Sequence, residues 1–299
     1  SLPLTRQLYS EKREVSTGIS YSPLAWSHGL KSFFDNYAYS CTEQLVSRGV
    51  PALVMPDGLK TNFEQVIETL RERQNSDGSF GQWSANLMPN PFISTYATHY
   101  LLEAREHGLP VPDDMLSSAN QWLSQLATGG SQGLDGARTR AYAIYLLTRQ
   151  GMITSGMLAN LQKELDERYA KAWPQDLTAA YMAASYQLLQ QDQLAENIMK
   201  AVPWLAGKAD VASADPYYDA TVHDAQRLYL VARHFSQQLQ HVPDKAILAL
   251  GGAISEDHYH TLSAAYMMLA FEAYGQANGK DHDKLAIVSL NRAGKKLAL

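Results

Sequence analysis

Cys41 is the only cysteine among 299 residues, and a glutamine, Gln44, follows three positions later. Two tyrosines, Tyr37 and Tyr39, lead into the pair. Ser40-x-x-Glu43 reads as a capping box, which predicts a helix with Ser40 as N-cap, Cys41 as first residue and Glu43 as third. On such a helix Cys41 and Gln44 share a face one turn apart, so their side chains can touch. The helix N-terminus favours negative charge on the sulfur, as thiolate or as leaving group. A thiol beside a carboxamide can expel ammonia and close to an internal thioester, which is a stored acyl donor. The alternative is structural: a lone cysteine often packs as a small buried hydrophobe, and a capping box before an apolar run starts many ordinary helices.

Cys-x-Glu-Gln, present as Cys41-Thr42-Glu43-Gln44, resembles the thioester signature of the α2-macroglobulin and complement family. The aromatic lead-in is similar to the bacterial α2-macroglobulin branch.

The elements that position this pair are helices. Phe63, Val66, Ile67 and Leu70 form an apolar helical stripe. Further helices are expected over 95–106, 117–126, 137–150, 158–169, 177–190, 194–202, 220–235, 244–250 and 260–274, with a fainter segment near 284–290. No strand pair stands out, so the predicted class is all-α. Some helices are apolar on nearly every face, such as Thr95 to Leu102, Arg140 to Leu147, Leu177 to Ala184 and Leu262 to Leu269. Those belong in a core, whereas the intervening helices carry one apolar stripe. The alternation recurs every 35 to 45 residues or so, the mark of stacked helix pairs. About six pairs with inner helices buried on both sides favour a closed α/α toroid, and the alternative is an open solenoid that binds proteins.

The stretch Gln74-Asn75-Ser76-Asp77-Gly78-Ser79-Phe80-Gly81-Gln82-Trp83 resembles a turn of α/α toroids, terpenoid cyclases and thioester domains among them. Asp77-Gly78 supplies the turn, and Phe80 and Trp83 are expected to plug between helices.

Composition sets limits. Hydrophobic residues at 45% suffice for a sizeable core, and 18% charge is low for a coiled coil or a disordered tail. The net charge of −5, with Lys and Arg scattered, offers no footprint for nucleic acid. No apolar run approaches the roughly 18 residues of a membrane span, and no membrane contact by this domain is expected. The start Ser1-Leu2-Pro3-Leu4 is neither an initiator nor a signal peptide, so the chain reads as a domain cut from something longer.

Other chemistries fit less well. His258-x-His260 with Asp257, and His223-Asp224, could be read as zinc ligands, but the spacing lacks a Cys pair or a His-x-x-x-His step, so no metal and no cofactor is expected. A cyclase would need an Asp-rich cluster, and Asp113-Asp114 reads instead as a helix N-terminus. A toroidal glycosidase would need opposed carboxylates, for which only Asp219, Asp224 and Glu272 offer themselves. A toroid-fold lyase or hydrolase, or a helical interaction module with an inert cysteine, are the competing functions.

The resemblance implies a Cys41–Gln44 thioester within an α/α toroid over 23–292, an extended lead-in over 1–22 belonging to a neighbouring domain, and a tail over 293–299. It further implies single-use covalent trapping of proteases: a protease lysine takes the acyl group from Gln44 with Cys41 leaving, so the protein is an inhibitor rather than a turnover enzyme. Tyr37 and Tyr39 are the nearest shield for the bond, and His99 is a further candidate. Glu43 is assigned to the helix cap. Some complement members use a downstream histidine to redirect the acyl group to hydroxyls. No histidine lies between His107 and His223 here, which argues for direct attack by amines. Neighbouring macroglobulin-like and β-sandwich domains, a periplasmic location and a membrane-anchored parent protein are further implications of the resemblance.

Overall fold

In the computed structural model, residues 23–55, 60–86, 89–206, 215–278, 289–290 and 296–297 are described. A 3-10 turn, Pro23–Trp26, precedes α1 (Ser27–Asp35) and α2 (Thr42–Val54). Then follow α3 (Lys60–Arg73), α4 (Pro91–Glu106), α5 (Asp113–Thr128), α6 (Gly133–Arg149) and α7 (Ser155–Arg168). A second 3-10 turn, Trp173–Gln175, leads to α8 (Leu177–Leu188), α9 (Asp192–Ala201) and α10 (Ala220–His234). The last helices are α11 (Ser236–Leu239), α12 (Asp244–Ser255) and α13 (Thr261–Asn278). The fold is all-α, as the periodicity predicts. Beyond it, β1 (Ser289–Leu290) pairs antiparallel with β2 (Lys296–Leu297) over two residues each. The helix expected near 284–290 lies largely outside the described residues, and its last two positions are β1. The lead-in 1–22 also lies outside them.

Six helices are buried on nearly every face. α4 is buried continuously from Ile93 to Ala104, α6 from Ala137 to Thr148, α8 from Leu177 to Tyr186 and α10 from Val222 to Ala232. α13 is buried from Thr261 to Phe271, and most of α2 is buried too. Their contacts run α2–α4–α6–α8–α10–α13 and return from α13 to α2. The remaining helices bury one stripe, as α7 does with Leu158, Leu161 and Leu165. Each fully buried leucine of such a stripe contributes roughly 1.5–3 kcal/mol. Small residues let the inner helices approach: a Cβ on Gly49 of α2 would lie 2.7 Å from the Tyr100 hydroxyl of α4.

Caps set the helix starts. Asn90 Oδ1 accepts the Ile93 N–H at 3.1 Å and Pro91 occupies the first turn, so α4 begins four residues before the stripe that starts at Thr95. Asp113 and Asp114 form the acidic first turn of α5, as expected. Asp176 and Asp219 cap α8 and α10 through the N–H groups of Thr178 and Val222.

The loop between α3 and α4 is the turn anticipated at Asp77-Gly78. Asp77 accepts the Ser79 N–H at 3.0 Å, and Gly78 takes φ +90°, a left-handed conformation favouring glycine. Gln74 Nε2 donates to Met115 O at 2.9 Å, fastening the loop to α5. Phe80 is fully buried, but Trp83 is 61% exposed, so only one of the two expected aromatic plugs is a plug. The chain is exposed from Gln82 to Asn86, after a tight turn at Gly81 where a Cβ would fall 1.8 Å from Ser84 O.

A Cβ at Gly78 would fall 1.9 Å from Ser118 O. Gly78→Ala is therefore expected to destabilise the fold by about 1–3 kcal/mol, read as a lower midpoint in urea unfolding at unchanged slope.

Candidate functional site

The cap at α2 sits one residue later than Ser40-x-x-Glu43 suggests. Cys41 is the N-cap, with extended φ −61° and ψ 165°, and Gln44 rather than Glu43 is the third helical residue. The capping box is reciprocal: the Gln44 N–H faces the Cys41 sulfur, and the Cys41 N–H donates to Gln44 Oε1 at 3.1 Å. Cys-x-x-Gln has the same spacing as Ser-x-x-Glu, so spacing alone cannot choose between the registers. Gln44 is held at its other end as well, because Nε2 donates to the Tyr37 hydroxyl at 3.2 Å. The sequence-predicted Cys41, Gln44 and Tyr37 are thus brought together.

Burial pushes the Cys41 thiol above its ordinary pKa, opposed by the N–H groups of Gln44 and Glu43 and by Arg73. The resting sulfur is therefore a thiol, because burial outweighs the favour that the helix end offers to negative charge. Cys41 is buried, at 6% exposure.

The α3–α4 loop clamps this helix start. The Thr42 N–H donates to Gln82 O at 2.8 Å, and Thr42 Oγ1 donates to Gly81 O at 2.6 Å. Arg73 donates to Thr42 Oγ1 at 3.1 Å. A turn recognisable from its own residues thus fixes the residue beside Cys41.

Glu43 does not take part in the cap. It points into the core, where Oε1 accepts from Ser47 Oγ at 2.8 Å and from Thr261 Oγ1 at 2.9 Å. Ser47 Oγ lies 3.0 Å from the Tyr96 hydroxyl. One carboxylate therefore ties α2 to α4 and α13. Burial raises the Glu43 pKa, partly offset by the hydroxyls of Ser47 and Thr261 and by His260. His260 Nε2 lies 2.9 Å from Asp219 Oδ2. Thr261, Ser47 and Tyr96 carry no motif, and no sequence signal marks them.

Aromatic rings surround the pair. Tyr259, Phe33, Tyr37 and Tyr39 form a series with centroid separations of 5.1, 5.4 and 5.8 Å. Tyr37 is half-buried and Tyr39 is 67% exposed. On another side Tyr217 stacks on Phe92 at 4.5 Å, near enough to Cys41 and Glu43 that their charges help raise its pKa after burial does. Tyr217 is a neighbour that sequence reasoning does not find. His99 is fully buried elsewhere: its ring partners are Tyr142, Glu103, Tyr229 and Arg149, none of them a partner of Cys41 or Gln44.

Among the described residues no three His, Cys, Asp or Glu side chains gather as a metal site. His223 is engaged by the Tyr218 hydroxyl and Pro203 O, and Glu272 by His107 at 2.8 Å. The geometry places a thiol and an oriented carboxamide in one capping box at a helix entry, within a cycle of buried helices.

No family model matches the chain. It is 36% identical to the α2-macroglobulin homolog of Yersinia pestis over 282 residues, covering 90% of this chain and 14% of that protein. It is 34% identical to the α2-macroglobulin of Rickettsia conorii over 313 residues, covering 100% of this chain and 16% of that protein. The chain belongs to the bacterial α2-macroglobulin family, and spans well under a fifth of the length of these relatives. Among solved structures, its fold is similar to the native Escherichia coli α2-macroglobulin (TM-score 0.66, 18% identity, 85% of this chain and 17% of that one). It is similarly close to the Salmonella protein reacted with methylamine (0.64, 18%, 84% and 17%) and to trypsin-activated E. coli α2-macroglobulin (0.62, 18%, 80% and 17%).

Replacing Thr261 with Val removes one hydroxyl donor, 2.9 and 3.1 Å from the two oxygens of a buried carboxylate, and is expected to cost about 1.5–3 kcal/mol near neutral pH. The loss should shrink in acid, where Glu43 is protonated. Because the folded chain holds the Glu43 proton to higher pH than the unfolded chain, this group favours folding most in acid and that share is lost as pH rises above 4.5 through the raised pKa. Glu43→Gln should remove that component, so its stability relative to the parent should rise with pH in urea titrations.

Proposed function

We propose that Cys41 and Gln44 close an internal thioester, and that this chain is the thioester-bearing α/α toroid of a bacterial α2-macroglobulin-like protease inhibitor. The observation that carries the reading is the double hold on the Gln44 carboxamide, oxygen to the Cys41 N–H and nitrogen to Tyr37, beside the Cys41 sulfur. In closure, sulfur bonds to the Gln44 side-chain carbonyl carbon, the carbon–nitrogen bond breaks, and ammonia leaves with the thiol proton. The Cys41 N–H sits where the oxygen gains charge in the tetrahedral intermediate.

The bond then waits. A lysine amine of an attacking protease adds to the same carbon, an amide links the two proteins, and Cys41 departs as a thiol. Nothing regenerates the acyl group, so each molecule acts once. Tyr37 and Tyr39 cover the approach to the bond, and flanking macroglobulin-like and β-sandwich domains of the parent chain complete the cover. Support comes from relatives: the Salmonella protein reacts with methylamine, a small amine nucleophile, and the E. coli protein is activated by trypsin and by porcine elastase.

Intact-mass measurement of the native full-length protein should read one ammonia below the sequence mass, and methylamine should add its own mass while freeing one thiol. Cys41→Ala should abolish the covalent protease adduct on denaturing gels. A native mass equal to that of the plain sequence overturns the reading.

A further inference from the structure

Closure of the thioester must move a proton from sulfur to nitrogen, and Tyr37 is placed to move it. Its hydroxyl oxygen lies 3.2 Å from Gln44 Nε2, the nitrogen that must leave. In the resting carboxamide that nitrogen has no basic lone pair, so it donates to the tyrosine. Attack by the Cys41 sulfur makes the carbon tetrahedral and ends amide resonance. The nitrogen lone pair is then free, and the hydrogen bond can reverse, with Tyr37 O–H pointing at a basic amine. Without a proton, that nitrogen is a far poorer leaving group than the thiolate, and the intermediate collapses back to starting material.

We propose that Tyr37 is a catalytic residue for thioester closure, donating its phenolic proton to the departing Gln44 nitrogen. The carbon–nitrogen bond breaks and ammonia leaves. The phenolate oxygen is reprotonated by the proton that came off sulfur, so the sum is one S–H and one carboxamide converted to one thioester and one ammonia. No outside oxidant or co-reactant is needed. The neighbourhood suits the task. Tyr37 is half-buried, and its ring packs on those of Phe33 and Tyr39 with centroids 5.4 and 5.8 Å away. Burial, then the nearby Glu43 and Cys41, hold its pKa above the ordinary phenol value, so it enters each attempt protonated. The Cys41 N–H on Oε1 stabilises the intermediate's oxygen while Tyr37 attends its nitrogen, so both heteroatoms of one carboxamide have separate partners.

This inference rests on the thioester reading, and it differs from a shielding role in sign. By microscopic reversibility the residue that protonates departing ammonia also deprotonates attacking ammonia. The test uses the full-length parent protein and its Tyr37→Phe variant, matched for thermal unfolding. Thiol release by ammonium chloride is followed by thiol titration across pH, together with the mass-resolved fraction of thioester in freshly purified protein. Phenylalanine keeps the ring that covers the bond, so a tyrosine acting only as a cover predicts ammonia-driven thiol release at the parent rate. Ammonia-driven thiol release should be slower by roughly tenfold or more, toward the low end of general acid–base effects, and the closed fraction should fall. Release as fast as the parent or faster, with full closure, overturns the assignment and leaves Tyr37 a cover. A parent protein without thioester overturns this inference together with the reading it rests on.

Discussion

The first amide groups of a helix have no partners within it, and at α2 nearly everything depends on how they are met. The Gln44 N–H turns to the Cys41 sulfur, the Thr42 N–H goes to Gln82 O, and the Leu45 N–H returns to Cys41 O at 2.8 Å. Sulfur thus serves as the acceptor that a serine or aspartate oxygen supplies elsewhere. The group that caps the helix and the side chain that reciprocates the cap are the two proposed to form the thioester. Local folding and chemical juxtaposition are one event here.

That end is anchored from three directions. The α3–α4 loop grips Thr42, the Tyr37 hydroxyl grips Gln44, and α4 and α13 grip Glu43 through Ser47, Tyr96 and Thr261. From Tyr96 the polar core continues inward. Tyr96 packs edge-on against Tyr266, whose hydroxyl donates to Tyr142; Tyr142 meets His99, and His99 in turn meets Glu103. Glu103 is fully buried, and its carboxyl is nonetheless held well below the usual range: burial works against the charge, but Arg149, His99 and Arg233 overcome it. The tyrosines that make the inner helices look uniformly apolar in sequence thus line a chain of polar contacts through the core.

How much of this is readable from the residues depends on distance along the chain. Period and composition identify the all-α class and which helices are inner, since burial on every face leaves its mark within one helix. Asp77-Gly78 and Asp113-Asp114 are legible because turns and acidic first turns act over a few residues. The α2 cap falls one residue later than the Ser40 box predicts, because two overlapping boxes satisfy the same spacing and Thr42, held by the α3–α4 loop, is already helical. Thr261, Tyr217 and the Ser47–Tyr96 bridge are invisible, as ordinary residue types made important by contacts between distant helices. Trp83 misleads for the opposite reason: its size suggests burial, but the backbone has already left the core.

The Glu43–Thr261 contact joins residues 218 positions apart, the first inner helix to the last. Synthesis from N- to C-terminus presents Cys41 and Gln44 before α13, the helix that seats their carboxylate neighbour. Within this fold the start of α2 is therefore made well before the helix that completes its surroundings. A truncated or stalled chain therefore carries Cys41 and Gln44 without the contacts from α13 that seat Glu43.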